Sequence, residues 1–105
     1  MINRDRQWQS HMEMAQIGST PAGGVCRLAL SDEDKESRDL FVQWAKEAGC
    51  SIRVDRVGNI FARRPGTDKN LPPVMTGSHL DTQQLGGRFY GAYGVLALSL
   101  IHISE

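Results

Sequence analysis

The spacing of apolar positions changes along the chain, and each change predicts an element. Trp8, Met12 and Ala15 recur at intervals of four and three, which predicts a helix over residues 3–17 with this stripe facing a core and His11 as a polar flank. Gly18, Ser19, Thr20, Pro21, Gly23 and Gly24 then stop it with breakers and turn formers, and read as a connector. Ser31 ahead of Asp32, Glu33 and Asp34 marks a second helix start. Its hydroxyl can accept from a free backbone N–H, and the acids oppose the positive end of the helix dipole. Leu40, Phe41, Trp44, Ala45 and Ala48 fall on one face with a packing role, and Gly49 ends the helix. The period then becomes two. Residues 51–56 and 60–63 alternate around Val57-Gly58-Asn59, whose residues tolerate positive φ, which predicts a β-hairpin. Residues 65–73 carry no periodicity and read as an exposed loop. Val74-Met75-Thr76 reads as a short buried strand, and residues 92–98 as a helix buried under a sheet, with Gly91 and Gly94 permitting close packing. The succession predicts a layered α/β domain.

Composition narrows the field. A chain of 105 residues has room for one small domain, and such a domain is only marginally stable. Twelve basic and twelve acidic side chains cancel, and no basic stripe interleaved with aromatics appears, so no nucleic-acid partner is expected. The charged N-terminus lacks the apolar core of a secretion signal, and residues 95–103 are too short a run to span a membrane. The cytoplasm is the expected compartment. Cys26 and Cys50 lie far apart and outside any C-x-x-C spacing, and are read as reduced, partly buried thiols.

The candidate chemistry sits in Gly77-Ser78-His79-Leu80-Asp81-Thr82 and the glycine-rich stretch after it. In extended backbone, residues two apart point to the same side, so His79 and Asp81 can face one point in space. A metal-bound imidazole usually donates its other N–H to a carboxylate or carbonyl, which fixes its tautomer and direction. Asp81 can play that part or bind a metal itself. The loop after Thr76 also lies where ligand sites of α/β proteins tend to form, at the carboxyl end of a strand. The plainer reading is a surface histidine hydrogen-bonded to a neighbouring acid. A metal site needs three or four protein ligands, and this motif offers at most two. Nucleotide binding through Gly86, Gly87, Gly91 and Gly94 is disfavoured, because their spacing fits neither phosphate-binding fingerprint.

Several ordered motifs together carry a resemblance. Ile17-Gly18, the run Gly23-Gly24-Val25-Cys26-Arg27-Leu28-Ala29-Leu30-Ser31, the run from Asp55-Arg56-Val57-Gly58-Asn59 to Arg63, the Gly77 to Thr82 motif, and Gly86-Gly87-Arg88-Phe89 with Gly91 are similar to the N-terminal part of the hydantoinase/carbamoylase family of metal-dependent amidohydrolases. That family includes N-carbamoyl-L-amino-acid hydrolases, β-ureidopropionase and allantoate amidohydrolase, within a wider aminoacylase and carboxypeptidase superfamily. The resemblance implies a two-metal hydrolase, zinc or manganese, acting on a small-molecule carbamoyl or ureido substrate. Its cations, roughly 3.5–4 Å apart, hold a hydroxide and polarise the scissile carbonyl. It further implies that His79 is a metal ligand and that Asp81 orients it. The implied fold is the N-terminal portion of a di-metal aminopeptidase- or carboxypeptidase-like catalytic domain: helices, a β-hairpin, then a strand, loop and helix carrying the metal site.

The chain departs from the family in two places. The anion shared between the metals is normally the aspartate of a Phe-Asp-Gly step, and here the step reads Phe89-Tyr90-Gly91. A phenol does not supply a bridging carboxylate. Residues 1–97 are expected to be part of a catalytic domain, and residues 98–105 an off-pattern tail foreign to it, with no role for His102. The general base, the remaining metal ligands, the substrate-binding side chains and the dimerising lid domain would all lie outside this chain, so as a separate polypeptide it is expected to be inactive. The alternatives are a metallopeptidase or aminoacylase of the same superfamily, disfavoured by the Gly-Gly-Val-x-Arg-Leu-Ala-Leu stretch, and a binding domain without metals, which Tyr90 favours.

Overall fold

The computed structural model describes residues 3–103, with side chains described as far as Ala97. Its elements are α1 (Arg4–Met14), α2 (Asp32–Glu47), β1 (Ser51–Val54), β2 (Ile60–Arg63) and α3 (Ala92–Ile103). Mixed helix and strand is therefore the class. The chain divides into two compact units, one made of residues 1–38 and 76–105 and the other of residues 39–75.

In the first unit, Asn3 caps α1, its side chain accepting from the Arg6 N–H at 3.0 Å. Helix α1 packs against α3, and Met14, Ala15, Ile17, Val25, Ala92 and Leu96 form the buried apolar core. The expected stripe is rotated. Ala15 is buried, but Trp8 is 57 % exposed, and His11, read as a polar flank, is only 4 % exposed. The His11 ring stacks on Tyr93 at 5.6 Å and meets Phe89 edge-on at 5.5 Å. Both rings come from the far end of the chain, so spacing within the helix gives no sign of them. Among the described residues neither His11 nitrogen has a hydrogen-bond partner.

Helix α3 is apolar as expected but lies on α1 rather than beneath a sheet. The expected strand at Val74-Met75-Thr76 does not form. This stretch has no strand pairing among the described residues, Val74 is 98 % exposed, and Met75 is exposed as well. A strand needs a ladder partner to satisfy its backbone and cover its faces, and the one sheet among the described residues is the β1–β2 pair. The backbone of α3 continues through residue 98 to Ile103, while the side chains of the expected tail lie outside the described residues.

In place of a sheet, residues 18–27 lie against residues 80–88. Val25 and Gly86 exchange backbone hydrogen bonds of 2.9 and 3.1 Å, and Arg88 Nε donates to Gly23 O at 2.7 Å. Gly18 and Gly24 each pass so close to another backbone that a Cβ would overlap a carbonyl oxygen, of Cys26 and Gly86 respectively. The start of α2 follows its local signals. Ser31 Oγ accepts from Asp34 N–H at 3.1 Å, and the buried Asp34 carboxylate turns back to accept from Leu30 N–H at 3.1 Å. Leu30 sits there at φ 67, a conformation costly for a residue with a side chain.

In the second unit, Ala45 is the buried residue of the α2 face, with Leu40, Phe41, Trp44 and Ala48 half-buried. The helix ends in a Schellman motif: Gly49 at φ 85, Gly49 N–H on Lys46 O at 3.0 Å, and Cys50 N–H on Ala45 O at 2.9 Å. The hairpin pairs antiparallel from Ser51–Arg63 to Val54–Ile60. Asp55 organises its loop: Oδ1 accepts from the N–H groups of Val57 and Asn59 at 3.0 and 2.9 Å, and Oδ2 from the Asn59 amide at 2.9 Å, with Gly58 at φ 91.

Two pH dependences follow. Burial pushes the His11 imidazole below its ordinary value of 6.5, so the unfolded chain takes up a proton that the folded chain resists. Stability contributed here is complete above about pH 6.5 and falls as pH drops below it. Urea unfolding between mildly acidic and neutral pH will show this slope, and His11→Phe will flatten it. For Asp55, hydrogen bonds from the Asn59 side chain first, then from backbone N–H groups, hold the carboxyl below its ordinary 3.8. Its contribution is present above that value and lost as pH falls through the lower folded value. Protection of the Val57 and Asn59 amides, measured against their intrinsic exchange rates, will fall over that acid range, and in Asp55→Ala it will already be lost at neutral pH.

Candidate functional site

The structure brings the two sequence-predicted residues together. His79 Nδ1 lies 2.9 Å from the backbone oxygen of Asp81 and 3.1 Å from its Oδ1. A backbone carbonyl can only accept, so Nδ1 carries the proton and donates to both oxygens. In the neutral form of the ring this donation leaves the Nε2 lone pair free of Asp81, as a metal or a proton donor requires. Both side chains are nearly half exposed. The best-formed cavities of this unit, one of about 290 Å³ along Gly18, Thr20, Cys26 and Ser31 and one of about 500 Å³ along Leu28, Gln83 and Leu85, include neither residue.

The pair is held from two sides. On one side stands the entry to α3. A Cβ on Gly91, which has φ +72, would overlap both the ring and the backbone oxygen of His79, and one on Gly94 would collide with the Ser78 side chain. Only glycine allows this approach. Tyr90 stands beside the histidine, its ring edge-on to the imidazole at 5.2 Å.

On the other side stands Arg27, which is fully buried. Its Nε donates to Leu80 O at 2.8 Å, and NH1 donates to Met14 O at 3.0 Å and Ile17 O at 2.9 Å. Its backbone N–H donates to Thr82 Oγ1 at 2.8 Å and its carbonyl accepts from Thr82 N–H at 2.7 Å. Burial pushes the guanidinium's pKa down, while the charges of Asp34 and Asp81 act to raise it. Sequence reasoning gave Arg27 and Thr82 no individual role. The available signal was an arginine inside the apolar run from Val25 to Leu30, since a buried cation must find acceptors.

The donor set does not complete a metal site. Among the described residues no group of three or more histidine, cysteine, aspartate or glutamate side chains is placed to hold a cation. Cys26 and Cys50 are free and half-buried. Among the described residues, no helix is long and apolar enough to cross a membrane.

No protein-family model matches the chain. Individual proteins do. The chain is 54 % identical over 96 residues to an N-carbamoyl-L-amino-acid amidohydrolase of Rhizobium meliloti, covering 91 % of this chain and 23 % of that protein. It is 40 % identical over 87 residues to an allantoate amidohydrolase of Bacillus subtilis, covering 83 % and 21 %. Among solved structures, a hydantoinase/carbamoylase family amidase from Burkholderia multivorans superposes with a TM-score of 0.95 at 57 % identity, over 98 % of this chain and 25 % of that one. In sequence and fold the chain is thus similar to a segment of amidohydrolases. More narrowly, it is homologous to one segment of the hydantoinase/carbamoylase family, as its motifs imply. The chain spans about a quarter of the length of the curated relatives it matches.

The Gly91 contact gives a direct test. Gly91→Ala is expected to displace the His79 ring, break its hydrogen bonds to Asp81, and cost more than about 1 kcal/mol. Gly87, where an added Cβ meets nothing within 4 Å, should accept alanine within about 0.5 kcal/mol. Urea denaturation and the His79 ring resonances read both effects.

Proposed function

We propose that this chain is the His-x-Asp portion of a hydrolase that cleaves non-peptide C–N bonds in the carbamoyl or ureido group of small molecules such as N-carbamoyl amino acids or allantoate. The observation that carries the proposal is the His79–Asp81 pair with Nε2 left free, in a segment homologous to amidohydrolases of those substrates. The wider fold would be the di-metal aminopeptidase-like catalytic domain. His79 would supply one ligand to a divalent cation, zinc or manganese, with Asp81 holding the imidazole in place. The other ligands, the general base, the substrate contacts and a dimerising domain would come from outside the described residues, and the cytoplasm is the setting this reading assumes.

No step of hydrolysis is assigned to the chain alone. One imidazole and its carboxylate cannot satisfy two cations, and a phenol stands at position 90. The chain by itself is therefore expected to be inactive. The position and contact of Tyr90 also support a second reading, a binding domain that works without metal.

A chimera separates the two. The matching segment of the Rhizobium meliloti enzyme is replaced by this chain's residues, with and without Tyr90→Asp, and hydrolysis of an N-carbamoyl-L-amino acid is followed together with zinc content. The aspartate chimera is expected to bind metal and turn over, and the tyrosine chimera to lose at least about a hundredfold in activity or metal affinity. A folded aspartate chimera that neither binds zinc nor hydrolyses substrate would sink the hydrolase reading, as would undiminished activity in a folded His79→Ala version of it.

A further inference from the structure

The residues on either side of Asp81 are both tied to Arg27. Leu80 offers its carbonyl to the guanidinium Nε at 2.8 Å. Thr82 is linked to the Arg27 backbone twice, through its hydroxyl at 2.8 Å and its N–H at 2.7 Å. Asp81 therefore sits on a peptide fixed at both ends by one residue 53 to 55 positions earlier in the chain. The oxygens that fix the tautomer of His79, the backbone O and Oδ1, both belong to that residue. Arg27 cannot easily slip, because NH1 is engaged by two carbonyls, Met14 O and Ile17 O, at the C-terminal end of α1 and the turn after it. A lysine in its place would present a point charge without the planar fork that reaches α1 and the Leu80 carbonyl together.

From this geometry we propose that Arg27 is a positioning residue: it sets the Leu80–Thr82 peptide so that Asp81 holds His79 in the Nδ1–H tautomer with Nε2 free. The inference rests on reading His79 and Asp81 as the working pair of the site, and its consequence is concrete. Among the described residues the Arg27 side chain donates to the carbonyls of Leu80, Met14 and Ile17 and not to the imidazole. Its effect passes through the backbone of Asp81, and the lone pair available at Nε2 depends on it.

The test uses the full 105-residue chain, labelled with nitrogen-15, at mildly alkaline pH, where an ordinary imidazole is neutral. Long-range proton–nitrogen spectra report the tautomer of His79 directly. The unsubstituted chain should show the Nδ1–H form alone. Arg27→Lys should show a mixture of tautomers, while Leu96→Ala, which opens a cavity in the same buried core at a residue that accepts none of the Arg27 side-chain hydrogen bonds, should keep the single form even when equally destabilised. A folded Arg27→Lys with an unchanged single tautomer overturns the proposal, and so does a Leu96→Ala chain that mixes tautomers to the same extent. Should Arg27→Lys fail to fold, Thr82→Val decides. It removes the hydroxyl that accepts from the Arg27 N–H while keeping the side-chain shape, and an unchanged tautomer there also overturns the proposal. Zinc does not enter this measurement, so failure of the metal-hydrolase reading and failure of the positioning role remain distinguishable.

Discussion

A guanidinium taken wholly out of water must be met by acceptors, because an unpaired buried charge costs several kcal/mol. Arg27 meets this demand with three carbonyl oxygens, of Met14, Ile17 and Leu80. Hydrogen bonds to a charged group contribute about 1.5–3 kcal/mol each when buried. The three therefore outweigh any single apolar contact in a unit whose core is a handful of small and medium side chains. They also join pieces of chain that local forces would leave apart: the end of the first helix, the segment after the glycine-rich turn, and the loop that bears the histidine. The charges of Asp34 and Asp81 favour the guanidinium as well. Among the described residues one terminal nitrogen, NH2, has no partner, so the arrangement they form is tight but not fully satisfied.

What could be read from the sequence divides along this line. The start of α2, its glycine end and the hairpin loop were legible because each is written in residues within about five positions of one another: Ser31 with Asp34, Ala45 with Cys50, Asp55 with Asn59. The His79–Asp81 contact was legible for the same reason, since residues two apart in extended chain share a side. The burial of His11 was not legible, because its partners Phe89 and Tyr93 lie at the other end of the chain. The surroundings of α3 were misjudged for a related cause. An all-apolar stretch says that a helix is covered, but not whether a sheet or another helix covers it. Arg27 shows the same limit. Its residue type announced a need for acceptors, and only the fold reveals where they are.

The site itself combines rigidity with incompleteness. Two glycines bring the start of α3 against the histidine loop, and a buried arginine fixes the loop from behind. The imidazole is thus held on a well-supported platform, yet one donor and its carboxylate are all that this platform presents among the described residues. The relatives that share this segment extend over about four times its length. A framework prepared for one ligand is what such a segment can contribute to a site assembled from several parts of a longer chain.

The exposed apolar stretch at Val74 and Met75 bears on how the chain behaves in concentrated solution. Bare, apolar backbone of this kind is what amyloid-like stacking recruits. Here it is entered through Pro72 and Pro73, which have no N–H to give to a growing ladder, and left through Gly77, which has no side chain to interlock. Such flanking residues act as gatekeepers. This exposed apolar stretch is bracketed by residues that keep it short.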